Sequence, residues 1–351
     1  MRRILAGTAA IVGGILAVAG CSSSSSSSTA ASSAGSSGSS SAAAPVTVRL
    51  GYLANITHAP ALIAVKNGYF TKDLGSAGTV NTTVFSTGTE ETTALLAGQI
   101  DVAYVGPNPA INAFQKSDGT AIKIISGVAT GGASVVTKSS ITSASQLKGQ
   151  SVATPSLGNT QDVALRYWLK QNGLTTTTIG GGDVAIKPTT PNSASVLEFK
   201  SGQIAGASEP SPYDVEIVQD GGHVLLSEPG VSTVLVVTQS FLSAHPAVVA
   251  DLLKANLQAL DYIKTDPSAA AAAANAELAA YTGKPLKSAV LTPAFKEITF
   301  TDDPDAASLT QDAKEANAVG LLKSTSLTGI FDLTPLNAIL SAGDQPTVSA
   351  G

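Results

Sequence analysis

The stretches "GQIDVAYVGPNP" (98–109) and "GQIAGASEPSP" (202–212) decide how this chain is read. Gly-Gln-Ile at 98–100 recurs at 202–204, and the Pro-x-Pro at 107–109 recurs at 210–212. In each copy a glycine closes an apolar helical pattern, as at a helix C-terminus. A short apolar run follows, and then a proline suited to the first turn of a helix. One chain thus writes the same helix end, strand and proline-started helix twice. The repeat predicts two lobes of similar grammar, each placing one loop on a wall of a shared cleft. The shared letters build the lobes. The letters that differ become candidates for ligand contact, with Gly106 opposite Glu209 and Asn108 opposite Ser211.

The same grammar extends outward on both sides. "VTVRLGYL" (46–53) alternates as a strand does. "APALIAVKNGYF" (59–70) follows, with Pro60 at a helix start. "TGTEETTALLAG" (87–98) opens on Thr87-x-x-Glu90, a capping box, and closes on Gly98. "NPAINAFQK" (108–116) reads as a helix with Asn108 as cap and Pro109 at its first position. Strands and helices alternate through both halves, which predicts mainly parallel sheets covered by helices. In "NTQDVALRYWLKQNG" (159–173), Ala164, Leu165, Trp168 and Leu169 share one face. Asp162, Arg166 and Lys170 stand at i, i+4 spacing and read as a solvated ladder. Beyond about residue 240 the pattern is almost wholly helical. Strand-like stretches at 133–138 and 231–238 bracket the second lobe and return the C-terminal part to the first.

Composition bounds the function. The chain has 351 residues, suited to roughly two domains, and a net charge of −5 that disfavours a nucleic-acid partner. Arg2 and Arg3 precede an apolar run to Gly20, as in an export signal. The run ends in Val18-Ala19-Gly20-Cys21, small residues before the only cysteine, which resembles a bacterial lipobox. Lipidation of Cys21 is expected; a short transmembrane anchor with a bystander cysteine is the alternative. With Cys21 so used, no disulfide framework, thiol nucleophile or cysteine metal site remains. The Ser/Ala/Gly stretch 22–45 reads as a flexible tether.

Five stretches carry a family resemblance: "LGYLANITHAPALIAVKNGYF" (50–70), "LLAGQIDVAYVGPNPA" (95–110), "SASQLKGQSVATPSLGNTQDVALRYWLKQNGL" (143–174), "LEFKSGQIAGASEPSP" (197–212) and "VLVVTQSFLSAHPAVVADLLKA" (234–255). In this order the chain resembles the substrate-binding lipoproteins of ABC importers, in the group serving sulfonates, taurine, nitrate and thiamine-pyrimidine precursors. The resemblance implies an α/β fold, the two-lobed periplasmic-binding-protein clamshell with two crossing hinge strands and a helical C-terminal tail. The expected boundaries are signal 1–21, tether 22–45, lobe one 46–132 plus 236–351, and lobe two 133–235. It also implies an exported, lipid-anchored monomer that captures a small molecule and hands it to ABC permease subunits, without cofactor or metal.

Ligands in open α/β sheets bind beyond the C-terminal ends of the strands. The candidate residues are therefore those of the strand-to-helix loops: Asn55, Thr57, His58, Thr87, Gly88, Thr89, Gly106, Pro107, Asn108, Leu157, Gly158, Asn159, Thr160 and Glu209. Read singly, each is a helix cap or turn residue. The resemblance singles out "SLGNTQ" (156–161) and "VGPN" (105–108) among them. His58 offers a neutral imidazole, and Glu209 either an acceptor for a ligand donor or an order-giving hydrogen bond at the hinge. The only arginines are Arg2, Arg3, Arg49 and Arg166, none in a candidate loop. An anion would thus depend on N–H groups and hydroxyls rather than a guanidinium clamp. Organosulfonate or taurine-like solutes lead; nitrate-like anions, pyrimidine or flavin-type ligands, and a non-transport surface role stand behind. The related pyrimidine synthases carry a cysteine-rich motif, which this chain lacks, and no enzyme constellation is evident.

Overall fold

The computed structural model describes residues 44–351. The expected signal, Cys21 and the tether up to residue 43 lie outside the described residues. Strand β1 (Val46–Leu53) leads through a 3₁₀ turn (Ile56–His58) into α1 (Ala59–Lys66) and α2 (Tyr69–Leu74). Then come β2 (Gly78–Phe85), α3 (Gly88–Leu96), β3 (Val102–Val105), α4 (Pro107–Lys116) and β4 (Ile122–Gly131). The chain crosses to β5 (Ala133–Lys138), β6 (Ser151–Thr154), α5 (Thr160–Gln171), β7 (Ala185–Pro188), α6 (Asn192–Lys200), β8 (Gly206–Pro210), α7 (Tyr213–Gln219) and β9 (Gly222–Ser227). It returns in β10 (Val231–Thr238), α8 (Gln239–Ala244), α9 (Pro246–Thr265), α10 (Pro267–Thr282), α11 (Ser288–Lys296), β11 (Ile298–Phe300), α12 (Ala306–Ala318) and α13 (Thr334–Ala342).

The strands form two sheets, ordered β11-β4-β10-β3-β1-β2 and β7-β6-β8-β5-β9. Helix-connected strands pair in parallel, β1 with β2 and β3, and β6 with β7 and β8. The expectation of mainly parallel sheets needs correction, because both are mixed. The crossing strands enter the opposite way: β10 lies antiparallel between β3 and β4, and β5 antiparallel between β8 and β9. β10 joins the first sheet along its whole length, so the return occurs at 228–231 and not at 236. The outward crossing turns on Gly131 and Gly132, with φ of 71° and 70°. A Cβ on Gly132 would stand 2.3 Å from Ile298 Cγ1, so glycine is required there for space as well as backbone.

Two cores flank the first sheet. Leu50, Tyr52, Leu62, Leu252 and Leu336 fill one face, and Val105, Ile111, Val234 and Leu309 the other. The second sheet is covered likewise by Leu147, Leu165 and Leu169 on one side and Phe199 and Ile217 on the other. β10 is buried at every residue, which explains its unbroken apolar sequence. The tail does return to the first sheet, yet α11 also packs on α7 and α12 on α5, so it touches both units.

Asp162 and Arg166 are not a solvated ladder. Their side chains are 0% and 2% exposed and pair at 2.9 Å. The Arg166 Nη1 also donates to the Thr177 carbonyl at 2.9 Å, and α12 packs against their helix. Lys170 alone stays at the surface, donating to the Ala318 carbonyl at 2.5 Å.

Candidate functional site

A cavity of about 880 Å³ lies between the two sheets. One wall comes from the loops after β1, β2 and β3, and the other from those after β6, β7 and β8. Helix N-termini surround it. Thr87 caps α3 by accepting the Glu90 N–H at 3.2 Å, and Asn159 caps α5 by accepting the Asp162 N–H at 2.9 Å. The N–H groups of Gly88, Thr89, Thr160 and Gln161, one residue nearer the helix starts, lie outside the helical ladder. Of the capping box the Thr87 half is present; the Glu90 carboxylate reaches the Ser86 N–H instead, at 3.2 Å.

Asn55, Thr57, His58, Thr87, Gly88, Gly106, Asn159 and Thr160 line this cavity. His58 is buried, and its Nδ1 accepts the Leu53 N–H at 3.2 Å, which leaves the proton on Nε2. Burial pushes this imidazole down to about 3, so it presents a neutral ring to the cleft.

Other candidates stand behind the wall. Helix α4 starts at Pro107 with Gly106 as its cap, which corrects the assignment of that role to Asn108. Asn108 turns away and donates to the Asp312 carbonyl at 3.3 Å. Thr89 and Ser156 approach each other at 3.2 Å from opposite walls. Gly158 adopts φ of 78° and gives its N–H to Asp162, while Leu157 is exposed. Pro107 and Leu157 are absent from the cavity wall. Glu209 is fully buried with both oxygens unpartnered, and burial pushes it well above the carboxylate range. Gly106 does not face Glu209: its Cβ position lies 2.8 Å from Thr160 Oγ1. Ser211 instead donates to Asp214 at 2.7 Å.

Several lining residues had no sequence signal. Tyr213 lines the cavity from α7, and its hydroxyl donates across to the Ala54 carbonyl at 3.1 Å. Tyr281, Lys284 and Lys287 come from the tail, far away in sequence. Tyr281 is fixed by a 2.6 Å contact with the Tyr52 hydroxyl. Charge gathers at this end: burial pushes Glu216 up and nearby Lys284 pulls it back. Arg49 holds Asp101 through Nε at 3.0 Å and lies outside the cavity wall. A larger concavity of about 1110 Å³, among the C-terminal helices near Leu257, Phe295 and Leu340, lacks these strand-end loops.

A family model, the NMT1-like family, matches residues 41–279. The chain belongs to the NMT1-like family. Among solved structures, it is similar to the alkanesulfonate-binding protein SsuA from Xanthomonas axonopodis pv. citri bound to MOPS. The identity is 19%, over 82% of this chain and 97% of that one, with a TM-score of 0.68. It is similar to the periplasmic nitrate-binding protein NrtA from Synechocystis PCC 6803, at 16% identity over 86% and 90% of the chains and a TM-score of 0.73. It is also similar to the Candida albicans CA3427 product, described as having the generic periplasmic binding protein fold. There the identity is 15%, over 87% and 96% of the chains, with a TM-score of 0.62. No curated protein matches. Identities this low establish the fold, the two-lobed periplasmic-binding-protein α/β architecture, while the family rests on the model match.

Proposed function

We propose that this protein is an extracytoplasmic solute-binding lipoprotein that closes two lobes on a small solute and delivers it to an ABC permease. Residues 46–131 and from 231 onward form one lobe, residues 133–227 the other, and lipid on Cys21 holds the monomer at the membrane. The observation that carries this reading is the cavity of about 880 Å³ between the sheets, lined by loops from both and by the first turns of α3 and α5. Hinged closure around ligand is the movement such a two-lobed form supports. Family membership and neighbours named for alkanesulfonate and nitrate binding agree with it.

The favoured solute is an organosulfonate. Its oxyanion end suits the free N–H groups at the starts of α3 and α5, without an arginine. A volume near the upper end of small-molecule sites leaves room for a substantial organic part, more than nitrate or taurine fills. A planar ring is the second reading, favoured by Phe85, Tyr213 and the prolines 155, 191, 210 and 212 on the wall. No chemistry is assigned to the site; capture alone accounts for its groups.

Thermal unfolding with taurine, MOPS, nitrate, a pyrimidine and a flavin tests the reading. A ligand at a hundredfold its Kd stabilises by about 2.7 kcal/mol. The sulfonates are expected to raise Tm most. A flat response to every compound would refute capture of these classes.

A further inference from the structure

The mouth of the cleft carries positive charge that the fold itself does not use. Lys284 and Lys287 line the cavity from the connection between α10 and α11. Side chains hold that connection in place. Gly283 ends α10 in the left-handed region, at φ of 79°. Asn275 of α10 clamps Leu286: its Nδ2 donates to the Leu286 carbonyl at 3.0 Å, and its Oδ1 accepts the Leu286 N–H at 2.7 Å. Thr282 Oγ1 donates to the Lys284 carbonyl at 2.9 Å, and Leu286 packs on the core of the first sheet. Both lysines are exposed, and among the described residues neither forms an ion pair.

Helix α11 adds to that charge. Lys287 is its N-cap, and no side chain bonds the first turn. The helical ladder begins with the Val290 and Leu291 N–H groups, which donate to the Lys287 carbonyl at 2.9 Å. The N–H groups of Ser288 and Ala289 lie ahead of it, and Ala289 and Val290 line the cavity. A helix start favours acids and disfavours lysine, yet no acid stands in this first turn. The other long helix starts on the cavity follow the rule: α3 has Thr87 with Glu90 and Glu91, and α5 has Asn159 with Asp162. The acids at the mouth do not cancel the excess. Asp220 is held by Lys200 at 3.0 Å, and Glu277 accepts from the Tyr281 hydroxyl at 3.0 Å. Glu216 of α7 also lines the cavity, pushed up by burial and pulled back by Lys284.

Deeper in the same cavity, Thr160 Oγ1 and Ser232 Oγ have no partner, in residues only 9% and 8% exposed. They stand with the free N–H groups at the start of α5, the place of the first oxyanion. Apolar side chains, Leu53, Phe85, Val196 and Leu278 among them, line the cavity as well. We propose that Lys284, Lys287 and the start of α11 form a second anion subsite, so that the solute is doubly acidic: an organosulfonate with a carboxylate at its far end. This rests on the reading that the cleft captures an organosulfonate. The two subsites differ in kind. Neutral donors in a dry place hold the sulfonate, and ammonium groups at the open mouth attract the second acid. A carboxylate there offsets both the lysines and the helix dipole. An amine in the same position meets like charge. Because the mouth is open to water, two such ion pairs discriminate by roughly two- to thirtyfold in affinity.

Calorimetric titration of the full chain carrying Cys21→Ser reads this discrimination. The probes are straight-chain sulfonates from ethanesulfonate to decanesulfonate, with their terminal carboxy and amino derivatives. At the chain length that spans the cavity, the carboxy derivative is expected to bind at least about twofold tighter than its parent, and the amino derivative no tighter. In the Lys284→Met/Lys287→Met double variant the ratio of the two affinities is expected to fall to about one, with urea unfolding as the check on the fold. Equal affinities for parent and carboxy derivative at every length overturn the second subsite and leave sulfonate capture standing. Tighter binding of an amino derivative has the same consequence. Absence of binding by every sulfonate overturns both readings. A folded double variant that keeps the wild-type ratio overturns the assignment to these lysines.

Discussion

Gly106→Ala should weaken capture without weakening the fold. The backbone at Gly106 has φ of −64° and ψ of 152°, a region alanine adopts freely, so the substitution strains nothing locally. The added methyl group, however, meets Thr160 Oγ1 at 2.8 Å across the cleft, inside an ordinary van der Waals contact by more than half an ångström. Thr160 sits in the first turn of α5, so its Oγ1 retreats only by leaving its χ1 rotamer. Overpacking of this kind costs about 1–3 kcal/mol. The strain falls on the closed form alone, because opening separates α4 from α5. The expected loss of affinity is then roughly 5- to 150-fold. Calorimetric titration with the compound that stabilises wild type most reads the affinity, and urea unfolding without ligand reads the fold. Thr160→Ala in the same chain removes the obstructing oxygen and should restore most of the loss. Wild-type affinity in Gly106→Ala, or no recovery in the double variant, would refute the placement of these two residues on opposing walls.

Tyr213→Phe removes the cross-cleft bond to the Ala54 carbonyl; a loss of about 0.5–1.5 kcal/mol is expected. It should appear as ligand release roughly two- to tenfold faster in stopped-flow displacement. Arg166→Met leaves Asp162 buried without its cation and should lower unfolding stability by about 3–5 kcal/mol in urea. His58 takes up a proton in the unfolded chain near 6.5 but in the folded protein only near 3. Its contribution to stability is therefore complete above 6.5 and lost as pH falls toward 3. Relative to His58→Gln, wild type should lose up to about 1.4 kcal/mol per pH unit below 6, read by urea unfolding at several pH values. Cys21→Ser should move the protein from the membrane fraction to the soluble one; retention on membranes would contradict the lipid anchor.

Much of the fold was legible because it is local. Helix ends at Gly98 and Gly202, and caps at Thr87 and Asn159, depend on residues within one turn. The misses are tertiary. Two prolines two residues apart, Pro107 and Pro109, offered two helix starts, and α4 takes the first, with Gly106 as its cap and Asn108 turned to the Asp312 carbonyl of α12. The i, i+4 spacing of Asp162 and Arg166 is the same on a wet face and a dry one. The covering elements, α12 and the loop carrying Thr177, lie elsewhere in the chain. Tyr281, Lys284 and Lys287 reach the cleft only because the tail folds back across both lobes, which no periodicity announces.

The two echoed segments end in different roles for the same reason. Gly106 lacks a side chain where Thr160 Oγ1 comes within 2.8 Å of its Cβ position, so its smallness suits the close approach of the two walls. Glu209, its counterpart by sequence, points behind its own sheet among Ser195, Asp214 and Glu228. Lobe one therefore meets lobe two at a small residue, and lobe two keeps Glu209 and Asp214 beneath the surface. The wall near the starts of α3 and α5 is left to N–H groups and hydroxyls, while carboxylates and lysines gather at the α7 end. An anion entering this cleft meets N–H donors and hydroxyls at that wall, with the Glu90 carboxylate beside them on the Ser86 N–H.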